Sequence, residues 1–426
     1  MLVVQKYGGT SVGSLPRIRA VAERCLARQR QGCRLIVVVS AMAGETDRLI
    51  TLANDLLCVG AKSTSRMNGR WVEPMKVGDR CHERELSQLV STGEKMSAAL
   101  LSMAIQDLGG AAMSFVGHQL GLQTDRRFTD AHIMAIEEGR FTAALEANKI
   151  VVCAGFQGVD PEGNITTLGR GGTDTSAVAV AAALHADACE ILTDVDGVYT
   201  SDPRVVPNAR KLDRISYEAM LELAGVGAKV LHIRSVAFAM KYRVPLHVRS
   251  SLNRNEGTWI VPEEKNMESV LVTGVALDRN EAKVTLADCP DQPGTIAAIF
   301  AKLAEADVLV DMIIQNASRQ GTTDVTFTVP KTLLDRSVEL LANLPFVSGG
   351  ALQIHADPNI CKISIVGVGM RTHAGVASRA FSVLAEENVN VEMVSTSEIK
   401  VSVVVQERYG ELATRALHDA FGLAES

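Results

Sequence analysis

The sequence predicts an α/β protein: a three-layer α/β/α sandwich followed by two ferredoxin-like modules of βαββαβ order. Three observations predict it. Up to about residue 250, continuous β-branched runs alternate with helical patterns. Those runs end in glycines, hydroxyls and acids. Beyond them the chain repeats itself at a constant offset of 81 residues.

The first unit is expected over 1–252. Its strands are "LVVQKYG", "CRLIVVVSAM", "AAMSFVG", "KIVVCAGFQGV", "CEILTDVDGVY" and "VPLHVRSS". Uninterrupted apolar strands are buried on both faces, so the sheet is parallel or mixed and covered by helices. Ligands bind outside the carboxyl ends of such strands, which directs attention to Lys6–Ser11, Ser40–Thr46, Gly155–Gly158 and Thr193–Arg204.

A polar joint spans 253–268, and two modules follow over 269–355 and 356–426. The repeat aligns Gly294 with Gly375, Phe300 with Phe381, Leu303 with Leu384, Val308 with Val389, Val310 with Val391, and Met312 with Met393. Each copy opens with a strand, turns at a glycine into an amphipathic helix, and continues as two strands and a second helix. The first copy can close its sheet with "ALQIHA"; the second ends after its helix and cannot. The strand from Ser269 to Leu277 has no partner in its own copy, so it is expected to fill the vacancy in the second.

Bulk properties exclude several partners. The chain has 426 residues, 47% of them hydrophobic, and its net charge of −6 arises from well-mixed charges, without the basic stripe that nucleic acid or anionic lipid requires. The longest apolar stretch, Ala177 to Leu184, is far short of a membrane span and reads as a buried helix. The N-terminal residues run from a short strand straight into glycines, so no secretion signal is expected and the location should be cytoplasmic. Eight cysteines lie scattered without CxxC pairs or His/Cys clusters at zinc spacing, which fits reduced, structural thiols and no bound zinc.

Three glycine- or hydroxyl-rich segments carry chemistry. "QKYGGTS" places Lys6 beside Gly8 and Gly9 directly after a strand, where backbone N–H groups and an ammonium can meet phosphate. "TTLGRGGTDTSAVAV" sets Arg170 among three glycines and puts Asp174 at the start of an alanine-rich helix. A capping role for Asp174 or Thr175 accounts for the acid but not for the arginine. "TDVDGVYTSDPRVVP" joins hydroxyls, acids, Tyr199 and Arg204 on a proline-constrained loop that suits a purine, a ribose and phosphate; an acidic surface turn is the plainer alternative. Glu94 in "STGE" opens an apolar helix, where it either serves the helix dipole or holds a substrate amine. Ser40 and Thr46 flank a strand end and a helix start, where capping is also open.

In this order, "KYGGTS", Ser40, "STGE", "GFQGV", "TTLGRGGTDT", "TDVDGVYTSDPR" and "GAKVLH" resemble the aspartate kinases of the amino-acid-kinase superfamily, and the doubled module resembles their paired ACT domains. The resemblance implies an amino-acid-kinase-type fold, ATP with Mg2+ and L-aspartate as substrates, and 4-phospho-L-aspartate as product. It implies Lys6 and Asp174 at the transferring phosphoryl group. Gly8, Gly9, Thr193, Asp194, Tyr199, Asp202, Arg204 and Lys229 would join Lys6 as nucleotide contacts, and Ser40, Thr46, Glu94 and Arg170 would be aspartate contacts. Effector contacts would be Asp291, Leu309, Val310, Asp311 and Gln315 in the first module, and Val376, Ala377, Asn390, Val391 and Ser397 in the second. Lysine and threonine are the expected effectors, a homo-oligomer through the ACT modules the expected assembly, and Met267 resembles the start of a separate regulatory subunit. The chain departs from the family pattern in a longer polar segment at 58–85 and a shorter one around "LQTDRRFTDAHI". Glutamate 5-kinase fits less well because it does not account for the paired modules and "STGE". A silent sensor fits less well because Lys6, Arg170 and Asp174 are all present.

Overall fold

The computed structural model describes residues 1–61, 80–226, 230–263, 272–315, 321–344, 346, 353–367, 370 and 375–424. Lys229, Met267 and most of the 58–85 segment lie outside them. The chain forms two units: Met1–Val198, Lys211–Ala224 and Lys229–Lys265 in the first, and Tyr199–Arg210, Gly225–Ala228 and Asn266–Ser426 in the second.

The first unit contains β1 (Leu2–Tyr7), β2 (Arg34–Val39), β3 (Ala112–Phe115), β4 (Leu122–Thr124), β5 (Ile133–Ile136) and β6 (Ile150–Ala154). It continues with β7 (Gln157–Val159), β8 (Ile165–Thr167), β9 (Ala188–Thr193), β10 (Arg214–Ser216), β11 (Leu246–Ser250) and β12 (Thr258–Val261). Eight of these form one sheet in the order β10-β12-β11-β9-β1-β2-β6-β3. Every described pairing in it is parallel except that of β11 with β12, so β12 and β10 oppose the other six strands. The segment expected as a plain polar joint thus contributes β12, a short strand hidden between polar flanks. A smaller sheet, β5-β4-β7-β8, was not expected either.

Side chains alternate across the large sheet. Val3, Tyr7, Val37, Val39 and Val152 pack with Ile18 and Val21 of the helix Leu15–Arg30 and with Leu101 and Ile105 of the helix Thr92–Asp107. The other face receives the helix Gly172–Ala183, whose run from Ala177 to Ala181 is buried. Lys6 alternates with Gln5 and Tyr7, and so falls on that second face. The central strand β1 lies between β2 and β9, which places its carboxyl end among the ends of its neighbours.

The second unit contains β13 (Gly274–Asp278), β14 (Glu281–Pro290), β15 (Ile313–Gln315), β16 (Thr322–Pro330), β17 (Gln353–Asp357), β18 (Ile360–Val366), β19 (Met393–Thr396) and β20 (Lys400–Gln406). They form two four-stranded antiparallel sheets, β15-β16-β14-β17 and β13-β18-β20-β19. β13 therefore precedes the first copy in sequence and pairs with β18 of the second. Each copy has its own apolar core. Met312 of the first copy clusters with Ile360, Met393 and Val404 of the second. Beside it, buried Lys362 on β18 donates to Glu281 at 2.9 Å and also contacts Asp311. Burial alone would lower the pKa of this ammonium, but the two carboxylates raise it.

Tyr199–Arg210 folds with this second unit. Val275 N donates to Thr200 O at 2.8 Å, and Ala209 bridges to Ala424. The Thr200 hydroxyl lies 2.9 Å from His418 Nε2 and 3.2 Å from Leu423 O, and it accepts from Arg210 N at 3.0 Å. Its one proton goes to the carbonyl, so the buried His418 ring donates through Nε2. Burial lowers the pKa of that ring, in keeping with a neutral imidazole.

Candidate active site

The carboxyl end of β1 turns at Gly8–Gly9. Gly9 lies so close to β2's exit that a Cβ there would come within 2.8 Å of Ala41 O, so a side chain would push the two loops apart. Ala43 N donates to Gly9 O at 3.2 Å, and Ser40 N to Tyr7 O at 3.1 Å. The turn is also tied to β9 and β11 by hydroxyls: Ser11 Oγ donates to Ser251 Oγ at 2.7 Å, and Ser251 Oγ to Thr193 O at 3.0 Å. Ser251 was not singled out from the sequence; only its place at the end of "VPLHVRSS" could have pointed to it.

Lys6 Nζ lies 2.6 Å from Asp174 Oδ1, and both side chains are largely enclosed. The N-cap of the helix Gly172–Ala183 is Gly171, with φ +69°, so neither Asp174 nor Thr175 caps it. Asp174 instead stands in the first turn and projects to the lysine. Ser176 helps fix this turn: its hydroxyl donates to Gly172 O at 2.8 Å and accepts from Phe156 N at 3.1 Å. Phe156 has φ +68°, a costly conformation for a residue with a side chain, and it follows directly on β6 and Gly155. No side-chain pattern marks such strain in advance.

Glu94 sits in the first turn of the helix Thr92–Asp107 and is 3% exposed. Its Oε1 accepts from Ala41 N at 3.1 Å; Oε2 has no hydrogen-bond partner among the described residues. Burial pushes this carboxyl up to about 7, against a smaller downward pull from backbone N–H groups. The Ala41 peptide thus meets Gly9 with its carbonyl and Glu94 with its N–H, joining the first glycine turn to the acid. Thr46 is half-buried at the second position of the helix Glu45–Ala61. Arg170 is exposed between Gly169 and Gly171, and its guanidinium has no hydrogen bond or ion pair among the described residues.

Thr193 ends β9, and its hydroxyl donates to the exposed Asp194 at 3.0 Å. Tyr199, Asp202 and Arg204 belong to the second unit. There the exposed Arg204 pairs with Asp202 at 2.7 Å and lowers its pKa. Of the expected effector contacts, Asp311 is engaged by Lys362, while Asp291, Leu309, Gln315, Asn390 and Ser397 are exposed. Val310, Ala377 and Val391 are half-buried and Val376 is buried. The six cysteines whose side chains are described are free and buried, and no described helix is long and apolar enough to cross a membrane.

Comparison with known proteins matches residues 1–250 to the amino acid kinase family and residues 283–346 and 363–421 to ACT domains. The aspartokinase of Pseudomonas aeruginosa is 51% identical over 424 residues, covering 99% of this chain and 98% of its own. Escherichia coli aspartokinase III, solved with aspartate and ADP, is 27% identical with a TM-score of 0.76, and 99% of each chain is covered. The same enzyme solved with lysine and aspartate is 26% identical with the same TM-score, again over 99% of each chain. With a kinase-type sheet, a lysine–aspartate pair at its carboxyl edge, two ACT modules and this likeness over nearly its whole length, the chain belongs to the aspartokinases of the amino acid kinase family.

Proposed function

We propose that the Lys6–Asp174 centre transfers the γ-phosphoryl group of ATP to the side-chain carboxylate of L-aspartate, giving 4-phospho-L-aspartate and ADP. One aspartate carboxylate oxygen forms a bond to the γ-phosphorus as the bond to the β,γ-bridging oxygen breaks, and ADP leaves with that electron pair. The observation that carries the aspartate half is Glu94: a buried carboxyl with one oxygen held by Ala41 N and the other buried without a hydrogen-bond partner among the described residues suits a substrate ammonium. Arg170, exposed and without a partner among the described residues, suits a substrate carboxylate, and Ser40 and Thr46 lie on the loop and helix start that follow β2.

On the nucleotide side, Lys6 neutralises charge on the transferring group and Asp174 holds Lys6 in place, with Gly8 and Gly9 offering backbone N–H groups. Thr193, Asp194, Tyr199, Asp202, Arg204 and Lys229 make up the rest of the nucleotide contacts in this reading. Among the described residues no group of three His, Cys, Asp or Glu side chains could hold a metal unaided. In this reading Asp174 would face Mg2+ brought in with ATP, and the ion would supply neutralisation of phosphate charge there.

End-product amino acids, lysine and threonine, act in this reading at the ACT modules of a homo-oligomer. Asp311 already holds one ammonium, that of Lys362, and so has the chemistry for a ligand's. A shorter product beginning at Met267 would be a regulatory partner. The test is ADP release with ATP·Mg2+ and L-aspartate, with hydroxylamine to trap the acyl phosphate. Aspartate-dependent hydroxamate is expected; ADP release that is indifferent to aspartate, or faster with glutamate, would overturn the reading.

A further inference from the structure

Arg234 occupies the second position of the helix Ile233–Tyr242, far in sequence from the Gly8–Gly9 and Gly169–Gly171 turns. Its guanidinium joins two segments that flank the Arg170 turn. Nη1 donates to Leu168 O at 2.6 Å, the last carbonyl before Gly169, and Nη2 donates to Ala131 O at 2.5 Å. Nη1 also reaches Asp130 Oδ1 at 3.4 Å. Ala131 N in turn donates to Thr167 O at 2.9 Å and Thr167 N to Phe128 O at 2.7 Å, so the Phe128–Ala131 and Thr167–Leu168 stretches are joined by backbone hydrogen bonds as well as through the guanidinium.

The residue that caps this helix holds the other end of the turn. His232 Nδ1 accepts from Arg234 N at 3.4 Å, and its side chain packs so close to Gly171 that a Cβ on that glycine would lie 2.3 Å from His232 Cβ and Cγ. Gly169 and Gly171 both have positive φ, +72° and +69°. Two such glycines leave a turn free to adopt many conformations unless something outside it decides between them. Residues 232 and 234 supply that decision, and the side chain between the glycines, Arg170, is left exposed for a ligand. A planar fork with several donors can bond two carbonyls on different segments at once, which a single ammonium cannot reproduce.

We propose that Arg234 is a positioning residue for amino-acid substrate binding: it acts through the Gly169–Gly171 turn to present Arg170 to a substrate carboxylate. The inference rests on the reading of Arg170 as that carboxylate's contact. Arg234 itself touches no substrate. Its loss is felt as disorder of Arg170, hence in the KM for aspartate, while Asp174 keeps its own anchor on Lys6.

The experiment uses the full-length enzyme and four forms: wild type, Arg234→Lys, Arg170→Ala and the double variant. Arg234→Lys keeps the charge and avoids the two unbonded carbonyls that Arg234→Ala would leave in a fold-breaking position. It should raise the KM for aspartate about tenfold, leave the KM for ATP within about twofold, and melt within a few degrees of wild type. Arg170→Ala should also raise the aspartate KM, and adding Arg234→Lys to it should change that KM by less than about twofold, because one residue works through the other. An unchanged aspartate KM in Arg234→Lys, equal rises in both KM values, or full additivity in the double variant would overturn the positioning role while leaving Arg170's contact standing. An unchanged aspartate KM in Arg170→Ala would instead remove the carboxylate contact, and the proposal with it.

Discussion

Two lysine–carboxylate clusters lie in different parts of this chain and do different work. Lys6 meets one carboxylate, Asp174, where a parallel sheet opens into loops, and the two side chains keep 12% and 13% of their exposure. Lys362 meets two, Glu281 and Asp311, where the module copies join, and it keeps only 3%. A lone pair with residual access can exchange its partner for a phosphate oxygen. An ammonium enclosed by acids on both sides has nowhere to go, so its contribution is to hold two modules in register. Stoichiometry and access, rather than the ion pair itself, separate chemistry from packing.

The largest expected effect breaks the structural cluster. Lys362→Ala should lower the unfolding free energy by ~3–5 kcal/mol, since it leaves Glu281 buried without its countercharge. Urea titration of the second unit's transition measures this, and a loss below about 1 kcal/mol would mean that water already reaches the cluster. Next, Lys6→Ala and Asp174→Ala should each lower kcat about a hundredfold or more, on the order of 3 kcal/mol, with melting temperature little changed. A large stability loss with near-normal turnover would move that pair into the same class as Lys362.

Glu94 sharpens the comparison because it is a buried acid without a lysine. Its carboxyl is protonated below about 7, so the ammonium of aspartate must displace a proton there. The kcat/KM for aspartate should fall toward about tenfold per pH unit below that value and level off above it, and Glu94→Gln should flatten the profile at a much lower level. Stability runs the other way. The folded state holds this proton to higher pH than the unfolded chain, so stability falls as pH rises from the ordinary carboxyl value of 4.5 to about 7. Glu94→Gln should accordingly melt higher than wild type at pH 8. The smallest effect on turnover belongs to Gln315→Ala, which should leave the uninhibited kcat within about twofold while raising the lysine or threonine concentration needed for inhibition several-fold. Full inhibition of that variant would exclude Gln315 from the effector site.

The long strands of both units were legible because their apolar runs exceed any loop, and the repeat was legible because Gly294/Gly375 and Met312/Met393 keep one spacing. β4, β5 and β8 escaped because three- or four-residue strands carry too few alternations to show a period, and β7 was read as one strand with β6 in "KIVVCAGFQGV", which the backbone breaks at Gly155 and Phe156. β12 escaped because its four residues lie in a polar stretch. At the site, the residue types and glycines of the Lys6 and Arg170 loops were readable, whereas Phe156's backbone and Arg234's reach to Leu168 and Ala131 depend on three-dimensional placement alone. The same holds for Thr200 and His418, partners 218 residues apart.

That last pair bears on how the chain could be divided. Thr200 O accepts from Val275, its hydroxyl serves His418 and Leu423, and Ala209 bridges to Ala424, so a dozen residues from the kinase half complete the fold of the sensor half. A polypeptide started at Met267 would be a fold with a missing piece, carrying an open N–H on Val275 and an imidazole at the gap. Water or another stretch of chain would have to fill it for the Val275 N–H and the His418 ring to keep hydrogen-bond partners.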